Sequence, residues 1–160
     1  MTVSAVTPIY LDTSCAVRLL LDELHEEGSE RQREKPARLG EVSFVSSSLL
    51  HLEFLSVLRA KLRGGALTKA QHGVFLKCWE DWSSRRVVFC PLQDALIRVA
   101  GDLVLHTRIA GRIRALDSLH FASFMEVRRR LPDTILFSAD AAMCALAEEA
   151  GAPYFNPLVL

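Results

Sequence analysis

Short apolar runs recur along the chain, each followed by a longer stretch whose apolar residues return at helical spacing. Pro8-Ile9-Tyr10-Leu11 is apolar and β-compatible. It ends at Asp12-Thr13-Ser14, a polar turn able to cap, and an apolar-rich stretch runs from Cys15 to Leu24. That order predicts a buried strand, a turn and a helix. Val42 to Ser46 predicts a second strand, and Ser47 to Arg63 a long helix stopped by Gly64-Gly65. Thr68 predicts the cap of a helix reaching about Arg85, and Val87 to Pro91 a third strand. Gln93 to about Thr107 is helical. A short basic stretch then leads into a helix over Ala115 to Arg130. After the Pro132-Asp133 turn, Thr134 to Phe137 reads as a fourth strand ending at Ser138-Ala139-Asp140. The next helix runs to Gly151, where a C′ glycine belongs, and Pro153-Tyr154-Phe155 fits a short fifth strand. His25 to Glu41 is dense in charge and carries Gly28, Pro36 and Gly40. It reads as a solvated segment with room for one short helix, and no function attaches to it.

Strands alternating with helices predict an α/β fold in which helices sandwich a central parallel sheet of four to five strands. At 160 residues, half of them apolar, the chain suits a single domain over 1–160 with a substantial core. Its 19 basic and 19 acidic residues give zero formal net charge. That excludes a globally basic nucleic-acid binder and leaves only local basic patches. No apolar run reaches the roughly 18–20 residues of a membrane span, and the opening has no basic leader; a cytoplasmic protein without membrane association is expected. Cys15, Cys78, Cys90 and Cys144 are scattered and form no CxxC pair, so they read as reduced thiols.

Among the acids, four do not fit their surroundings. Asp12 and Asp140 directly follow strands. In an open parallel sheet they fall on the edge where ligands bind. Glu53 has Leu49 and Val57 four residues to either side and Leu50 three before it, an expensive place for an unpartnered carboxylate. Asp117 opens an apolar helix. Each has an ordinary reading: a cap for Asp12 and Asp140, an ion pair or rim position for Glu53, a helix-dipole contact for Asp117. Taken together they read as a carboxylate cluster that needs a cation. Hard oxygen donors suit Mg²⁺ or Mn²⁺, and the matching chemistry is metal-assisted phosphodiester hydrolysis. Other phosphate chemistries fail. A haloacid-dehalogenase-type phosphatase needs a second acid where Ser14 stands, and neither GxGxxG nor GxxxxGK[ST] occurs.

The same residues carry a family resemblance. Tyr10-Leu11-Asp12-Thr13-Ser14, Ser48-Leu49-Leu50-His51-Leu52-Glu53, Arg114 to Ala122 and Phe137-Ser138-Ala139-Asp140 occur in that order with suitable gaps. The chain so resembles the PIN domain family, specifically the VapC-type toxin ribonucleases of bacterial toxin–antitoxin modules. The resemblance implies a three-layer α/β/α fold and an acidic quartet of Asp12, Glu53, Asp117 and Asp140 holding one or two divalent ions. Asp12 and Asp117 match the usual magnesium ligands; Glu53 and Asp140 complete the pocket, partly through water. It also implies cleavage of RNA to a 5′-phosphate and a 3′-hydroxyl, a homodimer, and a small antitoxin whose tail occupies the acidic groove. An RNA-processing nuclease outside such a module and a non-catalytic PIN-like module are the alternatives.

The hydroxyls of Thr13 and Ser138 lie beside Asp12 and Asp140, where they can orient a carboxylate or simply close a turn. Ser14 reads as a helix cap. His120 reads as a packed histidine bonded to a helix carbonyl more readily than as an acid–base group. Arg112 and Arg114, beside Gly111 in the stretch leading to Asp117, are the candidate RNA-backbone contacts; a solvated surface is the plain alternative.

Overall fold

The computed structural model describes residues 7–25 and 43–159. The charged segment over 26–41 and the start of the second expected strand lie outside these. Five strands form one sheet: β1 (Ile9–Leu11), β2 (Phe44–Ser47), β3 (Val87–Cys90), β4 (Ile135–Phe137) and β5 (Tyr154–Phe155). The described helices are α1 (Thr13–His25), α2 (Leu49–Arg63), α3 (Lys69–Arg86), α4 (Asp94–His106), α5 (Ala115–Arg130) and α6 (Ala141–Glu149).

Every strand pair is parallel, in the order β3-β2-β1-β4-β5. The chain winds outward from β1 through β2 to β3, then returns to the other side of β1 for β4 and β5. The switch in winding therefore falls between β1 and β4, and ligands of open parallel sheets bind there, outside the strands' carboxyl ends. Asp12 and Ser138 are the first residues past those two strands. The register is fixed by Ile9 opposite Ile135 and Leu11 opposite Phe137.

Side-chain alternation along β1 assigns the two faces. Leu11 joins a core with Cys15, Ala16 and Leu20 of α1, Leu50, Phe54 and Leu58 of α2, and Phe75 and Trp79 of α3. Tyr10 points the other way, into a core with Phe121, Phe124 and Val127 of α5 and Met143 and Leu146 of α6. Leu96 and Ala100 of α4 pack against Ala122 on that same side. The result is the three-layer, PIN-like α/β/α arrangement.

The expected element ends hold closely where they rest on local chemistry. Thr68 and Gln71 form a reciprocal capping box at the start of α3: Thr68 Oγ1 accepts from the Gln71 N–H at 3.2 Å, and Gln71 Oε1 from the Thr68 N–H at 2.9 Å. Gly151 has φ 62°, the left-handed value that ends a helix without cost for glycine. Among the described residues, no helix is long and apolar enough to cross a membrane.

Candidate metal centre

Asp12 follows β1 directly, its N–H still bonded to Phe137 O at 3.1 Å. The residue is 6 % exposed. Its Oδ2 accepts from the Ser14 hydroxyl and from the Ser138 hydroxyl, each at 2.7 Å. This corrects the reading of Ser14 as a cap. The helix already begins at Thr13, Asp12 itself offers its carbonyl to the Cys15 and Ala16 N–H groups, and the Ser14 side chain turns back to the carboxylate. Ser14 Oγ also accepts the Ala139 N–H at 2.9 Å, which ties β1's exit to β4's exit.

Asp140 is the N-cap of α6; Oδ1 accepts the N–H groups of Ala142 at 2.8 Å and Met143 at 3.1 Å. Its own N–H donates to Ser138 Oγ at 3.1 Å. Ser138, fully buried, therefore serves both strand-end acids at once. Asp117 sits in the first turn of α5, and Oδ2 accepts the Arg114 N–H at 3.2 Å. Burial pushes the Asp117 carboxyl above its ordinary value. The Arg114 N–H and guanidinium oppose that, while the negative charges of Asp140 and Asp12 add to it. These last two effects place the three aspartates in one another's field.

Glu53 lies one turn into α2, on the opposite helical layer, with its side chain 19 % exposed. Oε2 takes the Thr13 hydroxyl at 2.5 Å and faces His120 Nε2 at 2.6 Å. Burial alone would raise this carboxyl. The hydrogen bond and charge of His120, then the Thr13 hydroxyl, outweigh it and hold Glu53 below the usual glutamate value. The expected partner of His120 is also corrected. The ring is packed, but it bonds Glu53 and Tyr10 rather than a helix carbonyl.

One regularity links the four acids. In each, a single oxygen accepts from a positioning donor: Oδ2 of Asp12, Oε2 of Glu53, Oδ2 of Asp117 and Oδ1 of Asp140. The second oxygen accepts no bond from the described residues. No buried side-chain oxygen or nitrogen among them lacks a partner, so these second oxygens reach solvent. No Lys or Arg among the described residues forms an ion pair with any of the four.

Hard oxygen donors without a Lys or Arg ion pair fit Mg²⁺ or Mn²⁺, which take carboxylates together with several waters. The carboxylates are gathered at one sheet edge but not closed into a cage. Among the described residues, no three His, Cys, Asp or Glu side chains stand as a ready ligand set.

Arg112 and Arg114 are exposed in the loop between α4 and α5, and Arg114 acts on Asp117 through its charge and its N–H. A side chain at Gly111 would meet nothing within 4 Å among the described residues, so that glycine serves no close packing against them. Ser14, His120 and Tyr10 are the site residues that sequence reasoning did not assign. The hydroxyl two positions after Asp12 and the histidine one turn after Asp117 were the available signals.

No protein-family model matches the chain, and no curated protein matches it in sequence. A solved structure does match in fold: VapBC2 from Rickettsia felis, crystallised bound to a DNA fragment from its promoter. The alignment covers 93 % of this chain and 98 % of that one, with 14 % identity and a TM-score of 0.55.

Proposed function

We propose that this chain is a divalent-metal-dependent endoribonuclease and the toxin of a toxin–antitoxin pair. The observation that carries the catalytic half is the arrangement of carboxylates. All four stand at the carboxyl edge of the sheet around the β1–β4 switch, each with one oxygen held and the other turned to solvent. The fold shared with VapBC2 supports the toxin–antitoxin half, as does the PIN-type spacing of the acids.

Asp12 and Asp117 are the primary ligands in this reading, with Glu53 and Asp140 completing the shell. Mg²⁺ or Mn²⁺ bound there supplies Lewis-acid polarisation of a phosphoryl oxygen and acidifies a water. The chain's own residues do the rest. Ser14 and Ser138 hold the buried Asp12 carboxylate in one rotamer. Thr13 does the same for Glu53. Arg114 and Arg112, at the mouth, offset the repulsion between an acidic pocket and a polyanion, a task that zero net charge cannot perform globally. The antitoxin would cover this mouth with a basic side chain, for which an arginine fork suits paired carboxylates.

The test is RNA cleavage by the purified chain with Mg²⁺, with Mn²⁺ and with EDTA, alongside Asp12→Asn. Cleavage should require the metal and should vanish in the folded variant. Metal-independent cleavage, or an active Asp12→Asn protein, refutes the assignment.

A further inference from the structure

A chain of buried polar groups runs through the sheet to the proposed metal centre. Tyr10, fully buried in β1, projects to the face covered by α4, α5 and α6. Its hydroxyl accepts the Ser47 N–H at 3.2 Å and lies 3.2 Å from His120 Nδ1. On the other side of the ring, Nε2 is 2.6 Å from Glu53 Oε2. An ionised carboxylate only accepts, so the Nε2 position carries the proton; in a neutral imidazole Nδ1 is then the acceptor for the Tyr10 hydroxyl. Glu53 thus fixes the proton on Nε2, and the Tyr10 hydroxyl, able to donate or accept, is the buried partner of Nδ1.

His120 also bridges the two helical layers. It stands on α5, whereas Glu53 stands on α2 across the sheet. Oε2 is gripped twice, by Thr13 from the end of β1 and by His120 from α5. Two donors on one oxygen fix the carboxylate plane and leave Oε1 as its outward atom. His120 is buried, with both ring nitrogens engaged by Tyr10 and Glu53, so its place is behind Glu53 rather than against RNA.

We propose that His120 is a positioning residue: backed by Tyr10, it pins Oε2 of Glu53 so that Oε1 faces the divalent cation held by Asp12 and Asp117, directly or through water. This rests on the metal-centre reading above. Outer partners that orient a ligating side chain change metal affinity by about 10–100-fold when removed, and that range is the expected effect.

The experiment is Mn²⁺ titration by calorimetry on the full chain. The proteins are wild type, Asp12→Asn, His120→Leu, His120→Gln and His120→Asn, each checked for folding by circular dichroism. A Gln side chain places an amide donor near the position of Nε2 and reaches Glu53; Asn places it near Nδ1 and does not. His120→Leu should lose about 10–100-fold in Mn²⁺ affinity, His120→Gln should stay within about threefold of wild type, and His120→Asn should behave as Leu does. A folded His120→Leu protein with wild-type affinity overturns the proposal. If His120→Leu does not fold, equal affinities for the Gln and Asn variants overturn it instead. Failure of the underlying reading looks different: wild type would take up no Mn²⁺, or Asp12→Asn would bind it as well as wild type.

Discussion

Ser138→Ala should unfold more easily than its small volume change suggests, because one hydroxyl holds two strand ends. Ser138 is fully buried, donates to Asp12 Oδ2 at 2.7 Å and accepts the Asp140 N–H at 3.1 Å. Its acceptor is a carboxylate on a residue only 6 % exposed, so water replaces the lost donor poorly. A hydrogen bond to a charged group contributes about 1.5–3 kcal/mol. The Asp140 N–H, half-buried, finds water at lower cost and adds little. We expect a loss of about 2–3 kcal/mol, equivalent to a fall of roughly 5–10 °C in Tm for a chain of this size.

Ser14→Ala is the internal control. It removes a second hydroxyl from the same Asp12 oxygen, at the same 2.7 Å, and likewise frees a strand-end N–H, that of Ala139, but from a residue that is partly exposed. Solvent can substitute there, so the loss should be smaller. The assay is urea unfolding of metal-free protein at neutral pH, with m-values compared to confirm that the unfolded states match. A loss below about 0.5 kcal/mol for Ser138→Ala, or a larger loss for Ser14→Ala, would refute the claim that burial makes the Ser138 bond the stronger restraint.

Two further outcomes follow from the charges. Asp117→Asn should abolish cleavage yet raise the stability of metal-free protein, because burial and the fields of Asp140 and Asp12 disfavour ionised Asp117 in the fold. The folded value lies above the unfolded one, so the penalty is full at higher pH and fades as pH falls through the folded value; the wild-type and Asn curves should converge at low pH, and parallel curves would count against it. The double variant Arg112→Ala, Arg114→Ala should weaken binding of single-stranded RNA of any sequence and shallow the slope of log K against log salt by about 0.7 per lost contact. An unchanged slope would move the RNA path away from the α4–α5 loop.

Much of this architecture was legible in the sequence, for reasons that differ by element. The inner strands were visible because parallel strands buried on both faces leave short apolar runs bounded by polar turns, as at Ile9–Leu11 and Ile135–Phe137. Thr68 and Gly151 were visible because capping is local chemistry. The strand order was not, since pairing β4 beside β1 depends on contacts more than a hundred residues apart. The same limit hid the neighbours of the acids. Ser14 looked like a cap because Asp-Thr-Ser is a helix-start pattern, and only β4's arrival with Ser138 and Ala139 shows why it faces back. His120 was legible as buried and not as bonded to Glu53, whose helix lies 67 residues earlier.

Capping and ligation are rival readings of Asp12 and Asp140 in the sequence, and the geometry of Asp140 and Asp117 shows why the two are compatible. A cap engages one carboxylate oxygen. Asp140 spends Oδ1 on two N–H groups of α6 and Asp117 spends Oδ2 on the Arg114 N–H. Each cap fixes a rotamer, and a fixed rotamer aims the second oxygen. An unrestrained carboxylate would instead lose rotamer freedom on binding a cation, at a cost to affinity. The local rule that makes Asp common at helix starts therefore also pre-aims it, provided the helix starts at the ligand-binding edge of a parallel sheet. Glu53 tests this logic, because it lies a full turn inside α2 and has no terminal N–H to accept. Its rotamer must be held by side chains, and the two donors on Oε2, Thr13 and His120, supply that restraint. Asp12, whose carboxylate also caps nothing, is held by the Ser14 and Ser138 hydroxyls, and Glu53, deeper in its helix, by a threonine and a histidine.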